Sequence, residues 1–479
     1  MTPPDAITAW PAGELSARLH RREVSCEVVM RAYLARIERV NPRFNAIVNL
    51  AAPESLLAQA RERDRELAAG RSRGWLHGIP QAFKDAVRVE GFPTTFGSRL
   101  LADARATTDC ILAARMKAAG CIVIGKTNMP EFGLGSHTYN PLHGRTRNAY
   151  DPTRSAGGSS GGAAVALALR MLPVADGGDY MGSLRNPAGW NNIVSLRPCV
   201  GRIPGNAREV WQPTMSTLGP MGRSVRDVAM LFGVQHGHDA RSPLSLDGRV
   251  DTRETALERD VAGLRIGWLG DMGGWLPYQD GVLDLCRTAL KSFEAMGCIV
   301  EDALPDYDLE RLWSSYLTIR AWQAGSGLLD LYRDPKRRAL IKPEAIFEIE
   351  SGAKLSAYDV TIASAHRTAW YNALLKLFKR FDFLVLPSAQ VFPFDATLHW
   401  PRSINGVAMD SYHRWMEVVV PASLLGFPVL NLPVGFDPQG RPMGMQVVAT
   451  HHADWSVLQL GAAYEAATNW VERRPPPLL

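Results

Sequence analysis

The sequence predicts an α/β protein, because strand-like and helix-like stretches occur side by side. Ile122-Val123-Ile124 and Phe383-Leu384-Val385-Leu386 are short apolar runs bounded by turn residues, as buried strands are. Val29, Tyr33, Ile37 and Val40 recur at helical spacing and predict an amphipathic helix packed on the main body. Residues 163–172 follow a glycine-rich loop as a small-residue helix, the kind that approaches a sheet closely. In chain order, Ser25 is placed to cap the first helix and Pro42 to follow its end. The helix over 163–172 would aim its N-terminal N–H groups toward an active site. Residues 300–420 carry Trp313, Tyr316, Trp322, Tyr332, Tyr358, Trp370, Phe392 and Trp400. They read either as the walls of a pocket or as a helical layer with core aromatics. The tail Arg473-Arg474-Pro475-Pro476-Pro477 reads as extended and loosely held.

At 479 residues the chain is long enough to bury a sizeable core without disulfides. Its six cysteines show no C-x-x-C spacing and read as free, mostly buried thiols of a cytoplasmic protein. A net charge of +5 without long like-charge runs gives nucleic-acid binding no support. Residues 1–20 lack a basic segment followed by an apolar one, so no signal peptide is expected. The most membrane-like stretch, 156–175, is rich in glycine and broken by Arg170, so no span is expected.

Three stretches fit one catalytic device: Lys84 in Gly78-Ile79-Pro80-Gln81-Ala82-Phe83-Lys84-Asp85, Ser159 in Gly157-Gly158-Ser159-Ser160-Gly161-Gly162, and Ser183 in Asp179-Tyr180-Met181-Gly182-Ser183. A serine hydroxyl is a poor nucleophile until a base takes its proton. Lysine serves as that base only when burial or nearby positive charge lowers its pKa from about 10.4. Only nine of the 53 basic residues are lysines. Arginine cannot be deprotonated in a protein, so a base is one role in which lysine is irreplaceable.

These motifs resemble the amidase signature family, and the resemblance covers most of the chain. The family's serine- and glycine-rich signature runs from Gly157 to about Pro204, through Gly182-Ser183-Leu184-Arg185-Asn186-Pro187-Ala188 and Ser195-Leu196-Arg197-Pro198. Upstream lie Leu76-His77-Gly78-Ile79-Pro80 and Gly125-Lys126-Thr127-Asn128-Met129-Pro130-Glu131-Phe132-Gly133. Downstream, Gly219-Pro220-Met221-Gly222-Arg223-Ser224-Val225, Leu386-Pro387, Gly426-Phe427-Pro428 and Gly444-Met445-Gln446 follow in order. The stretch from Tyr180 to Pro187 is similar to the branch holding hydrolases of nylon-type cyclic amide oligomers.

The resemblance implies one α/β/α domain around a mixed twisted sheet. Within it, 1–65 is an N-terminal helical region, 66–230 the catalytic core, 300–420 the variable pocket and 421–479 the C-terminal return. It implies a Ser-cisSer-Lys triad of Ser183, Ser159 and Lys84, with a cis peptide between Gly158 and Ser159 and an acyl-enzyme on Ser183. Backbone N–H groups of Tyr180, Met181, Gly182 and Ser183 would form the oxyanion hole. Met129, Phe132, Gly158 and Met181 are the candidate substrate contacts. The substrate would be a small-molecule amide or carbamate, with no cofactor, metal, nucleic acid or membrane involved. The oligomeric state is left open, a homodimer included. One departure stands out: the family commonly has Thr-Gly-Gly-Ser where this chain has Tyr180-Met181-Gly182-Ser183. A backbone angle that needed glycine at Met181 would be strained.

Competing motifs are weaker. Gly157-Gly158-Ser159-Ser160-Gly161 satisfies G-x-S-x-G, but that elbow needs a strand just before it and residues 148–155 are polar and turn-like. Ser351-Gly352-Ala353-Lys354 satisfies S-x-x-K without its companion motifs. The glycine loop lacks G-K-[ST], which argues against nucleotide binding. His236, His238, His451 and His452 lack a ligand constellation and read as loop residues. Lys126 competes with Lys84 for the base and reads as structural. The rival function is one component of an amidotransferase complex that works on tRNA, and a third reading is an inactive binding protein.

Overall fold

The computed structural model describes residues 4–205, 209–212, 214–248 and 256–479. The region assigned to the catalytic core, 66–230, includes 206–208 and 213, which lie outside the described residues. A three-stranded sheet holds β1 (Ile47–Val48), β2 (Pro80–Lys84) and β3 (Ile122–Thr127) in the order β1–β3–β2, with β2 and β3 parallel. A short ribbon of β4 (Tyr139–Asn140) and β5 (Gly144–Arg145) follows. The main sheet begins with β6 (Val174–Asp179), β7 (Val194–Arg197), β8 (Thr217–Gly222), β9 (Arg265–Trp268), β10 (Ile299–Asp302) and β11 (Phe383–Pro387). Past a ribbon of β12 (Ser403–Ile404) and β13 (Val407–Ala408), it takes in β14 (Val429–Phe436) and β15 (Pro442–Val448). Its order is β10–β9–β11–β15–β14–β7–β8–β6, with β10, β9 and β11 parallel and the other pairs antiparallel. The sheet is therefore mixed, as expected.

The edge strand β6 lies beside β2, and the two sheets meet through a side chain. Asp176 accepts from the Lys84 N–H at 3.3 Å and from Gln81 Nε2 at 3.1 Å. Both strands are buried on both faces, which is why their sequences are not alternating.

The first amphipathic helix spans Cys26–Phe44, and Ser25 caps it by accepting from the Val28 N–H at 3.1 Å. Pro42 does not follow its end but lies inside the last turn. The missing N–H would have paired with the Glu38 carbonyl on an exposed stretch of the helix, so the proline costs little there. The stop is Asn45, left-handed at φ 51°, while the Asn41 side chain accepts from the Ala46 and Ile47 N–H groups. The small-residue helix runs over Gly161–Ala168, starting earlier and ending sooner than expected. Gly162 explains the start: a Cβ there would lie 2.4 Å from the Asn128 nitrogen, so only glycine lets this turn pack against the end of β3.

Residues 300–420 are mainly helical, with helices over Leu309–Arg333, Pro343–Gly352 and Ala357–Phe378. Trp370 and Phe392 are core residues, and Tyr358 is 81% exposed. The pocket-wall reading fails for those three and for Tyr316, which is fully buried with its hydroxyl on Met181. It survives for Trp400, which lines a small space with Ser136 and His137. The tail is not loosely held at Arg474. Its carbonyl accepts from the Tyr150 hydroxyl at 2.7 Å, and its guanidinium lies over the Phe436 ring. All six cysteines are buried and none forms a disulfide. Among the described residues, no helix is long and apolar enough to cross a membrane.

Candidate active site

Lys84 ends β2, and its side chain is delivered into the space between the two sheets. The residue is 4% exposed. Its Nζ lies 2.7 Å from Ser159 Oγ, 2.9 Å from Ser160 Oγ and 3.2 Å from the Gly178 carbonyl. Burial pulls its pKa down to about 8, with Asp176 and Asp179 working against the shift. Lys126 is also buried and is also brought down to about 8, by the same cause. In the ladder Lys126 pairs with Phe83 and Lys84 with Thr127, so alternation sends the two lysines to opposite faces. Lys126 Nζ donates to the Val87 carbonyl, which ties down the turn after β2. The structure thus brings Lys84 to the serines and leaves Lys126 structural.

The Gly158–Ser159 peptide is cis, as the resemblance implied. Ser159 and Ser160 both contact Lys84 but face different surroundings. Ser160 Oγ sits against β6, 3.4 Å from the Gly178 nitrogen. Ser159 Oγ lies near Gly133, 3.7 Å from where a Cβ on that glycine would stand, with the Met129 methyl beside it. Ser183 is 7% exposed, and its carbonyl accepts from the Ser160 N–H at 3.2 Å, which binds its loop to the serine pair.

The loop from Asp179 to Arg185 is fixed by one buried carboxylate. Asp179 accepts from the Gly182 N–H at 2.8 Å and the Leu184 N–H at 3.1 Å, and pairs with Arg185 and Arg197, all three fully buried. Burial alone would push its pKa up, but the two guanidiniums and the loop N–H groups hold it well below the usual carboxylate range. This corrects the expected oxyanion hole: the Gly182 N–H is taken by Asp179. The N–H groups of Tyr180, Met181 and Ser183 have no protein acceptor among the described residues. The expected strain at Met181 is also absent, because the left-handed residue of the loop is Gly182, at φ 78°. A bulky residue at Met181 therefore needs no unusual backbone.

The candidate substrate contacts separate. Met129 is 2% exposed and close to Ser159, and Gly158 packs against Ser136 and His137. A small space of about 10 Å³ lies along Ser136 and His137, with Tyr412 and Trp415 among its walls. Phe132 is half-buried and joins a satellite cluster with Leu134, Ile341 and Tyr332. Met181 does not stand open beside Ser183: it is 4% exposed, and its sulfur accepts from the Tyr316 hydroxyl. Sequence reasoning missed Gly133, Asp176, Asp179 and Arg185. All but Asp176 lie inside quoted motifs, yet nothing local shows which charges meet across the fold.

The competing motifs lose their structural context. No strand precedes the glycine loop among the described residues of 146–160. The histidines are engaged by the protein: His236 by the Phe232 carbonyl, His238 by Ser245, His451 by Cys199 and the Leu425 carbonyl, and His452 by Arg202. A larger cavity of about 450 Å³, lined by Pro11, Arg223, Glu258 and Glu465 among others, touches none of the candidate site residues.

A buried lysine thus stands against two serines where the two sheets meet. The family model described as Amidase matches residues 28–458, and the chain belongs to this amidase signature family. It is an enzyme that hydrolyses amide C–N bonds. An acylamidase of Rhodococcus erythropolis is 33% identical over 97% of this chain and 96% of its own. A glutamyl-tRNA(Gln) amidotransferase component from Thermosynechococcus vestitus is 32% identical over 96% of this chain and 98% of its own. Among solved structures, a bacterial aryl acylamidase superposes with a TM-score of 0.90 at 29% identity, covering 97% of both chains. The substrate complex of a 6-aminohexanoate cyclic dimer hydrolase gives 0.83 at 25%, covering 97% and 98%.

Proposed function

We propose that the protein hydrolyses non-peptide amides, carbamates included, through an acyl-enzyme on Ser183. The observation that carries this reading is the 2.7 Å contact between buried Lys84 and Ser159. Ser183 Oγ attacks the carbonyl carbon while Ser159 takes its proton and passes its own to neutral Lys84. The N–H groups of Tyr180, Met181 and Ser183 receive the developing oxyanion. Ser159 then returns a proton to the departing nitrogen, and water activated by the same relay releases the acid. Likeness to an acylamidase and an aryl acylamidase supports amides of aromatic amines as the substrate class. We place the protein in the cytoplasm, in keeping with its unpaired thiols.

Ser183→Ala is expected to lower turnover of an acyl p-nitroanilide by about 10⁴-fold or more. Mass spectrometry of wild-type protein quenched during turnover of the matching ester should find the acyl group on the peptide holding Ser183. An adduct elsewhere, or turnover surviving in the variant, would refute the assignment. The amidotransferase relatives supply the second reading. It requires a stable partner in copurification and ammonia-dependent amidation of a charged tRNA.

A further inference from the structure

The two residues that depart from the family pattern, Tyr180 and Met181, are gripped by one stripe of the Leu309–Arg333 helix. Tyr316, Arg320 and Gln323 stand at i, i+4 and i+7 on that helix and so share a face. Tyr316 donates to the Met181 sulfur, and the Tyr180 hydroxyl donates to Gln323 Oε1 at 2.8 Å. The Arg320 guanidinium lies 5.2 Å from the centre of the Tyr180 ring, a cation–π contact. Arg320 is 5% exposed and is itself held. Its Nε donates to Glu348 at 2.5 Å and its terminal nitrogen to the Tyr412 hydroxyl at 2.9 Å. Glu348, in the Pro343–Gly352 helix, also accepts from Tyr412 and lies 2.9 Å from His413 Nε2. No step of the hydrolysis uses these groups. A buried ion pair is weak evidence for stability, since apolar residues of similar volume often serve as well. What it supplies here is a fixed position for a charge against the loop.

We propose that Arg320 is a positioning residue, locked by Glu348, Tyr412 and His413, that holds the Tyr180–Met181 backbone with its N–H groups facing the substrate's carbonyl oxygen. This rests on the reading of Ser183 as the nucleophile. An oxyanion donor displaced from the transition state lowers kcat with little change in KM.

The test measures kcat and KM on an acyl p-nitroanilide and the affinity for a trifluoromethyl ketone, which adds to a serine as a tetrahedral oxyanion. Arg320→Met is expected to lower kcat about 10- to 100-fold and ketone affinity in parallel, with KM within about threefold. In a Tyr180→Leu background, which keeps the backbone N–H, Arg320→Met should add little. Full additivity of the two losses, or a raised KM with kcat and ketone affinity intact, would overturn the proposal. Should Arg320→Met fail to fold, Tyr180→Leu alone decides: unchanged kcat and ketone affinity would overturn it equally. Ser183→Ala, run alongside, separates the two claims, because turnover and ketone affinity persisting there would strike the nucleophile assignment instead.

Discussion

Lys84 and Lys126 are neighbours on parallel strands, both buried and both brought down to about 8, yet only Lys84 reaches a serine. Reach, and not the shift, separates them. On the proposed mechanism the neutral amine is the base, so kcat/KM should rise with pH through about 8 and level off above it. Below that value Lys84 is an ammonium with no lone pair to accept the proton. A rate that stays flat from about pH 6 to about pH 10 would place the base elsewhere. Gly133 gives a second expectation. A Cβ there would stand 3.5 Å from the Met129 methyl and 3.7 Å from Ser159 Oγ, on a backbone already at φ +72°. Gly133→Ala should therefore narrow the approach to Ser159. Its kcat/KM should fall more for a bulky aryl amide than for a short aliphatic one, by about 1–3 kcal/mol of discrimination. An unchanged ratio between the two substrates would show that leaving groups do not pass this glycine.

Where β2 meets β6, the Asp176 carboxylate and the Lys84 amine stand in for a backbone ladder, so the carboxylate sits beside the proposed base. Burial lifts the Asp176 pKa to about 6, with the Lys84 N–H and the Lys126 and Lys84 charges opposing the rise. Its negative charge in turn holds the Lys84 pKa higher than burial alone would. Asp176→Asn keeps the shape and removes that charge, so the rising limb of the pH–rate profile should move to lower pH. A limb that stays in place, or moves up, would mean Asp176 is not charged when the enzyme works. The elements themselves were legible in proportion to how local their causes are. The Ser25 cap, the strands near 122 and 383 and the glycine-opened helix follow from adjacent residues. The Gly182 N–H was misassigned because its acceptor, Asp179, is itself held by Arg185 and by Arg197 of another strand. Pairings of that kind leave no periodic trace in a sequence.

Over the whole molecule, the meeting of Lys84 with the serine loops was readable because each stretch is a dense, ordered motif, whereas the 300–420 layer was not. Its aromatics divide among core, surface and the edge of the site, and composition does not sort them. Stability should depend heavily on the buried charges of Asp179, Arg185 and Arg197. Arg197 donates to the Phe427 carbonyl at 3.0 Å and the Met215 carbonyl at 2.6 Å while pairing with Asp179. Removing one member of a buried charged set leaves its partners stranded, so Arg197→Met should cost about 3–5 kcal/mol. A urea midpoint near that of the parent would contradict this. The seam between the sheets carries a further consequence. Lys84, the proposed base, belongs to the three-stranded sheet, while Ser183 follows the edge strand of the larger one. Slippage of about 1 Å between the two would cost about 10²-fold in rate while every strand and helix stayed intact. Catalysis should accordingly be the first property lost on warming, below the temperature at which helical ellipticity collapses, and it should return on cooling as the two halves re-seat.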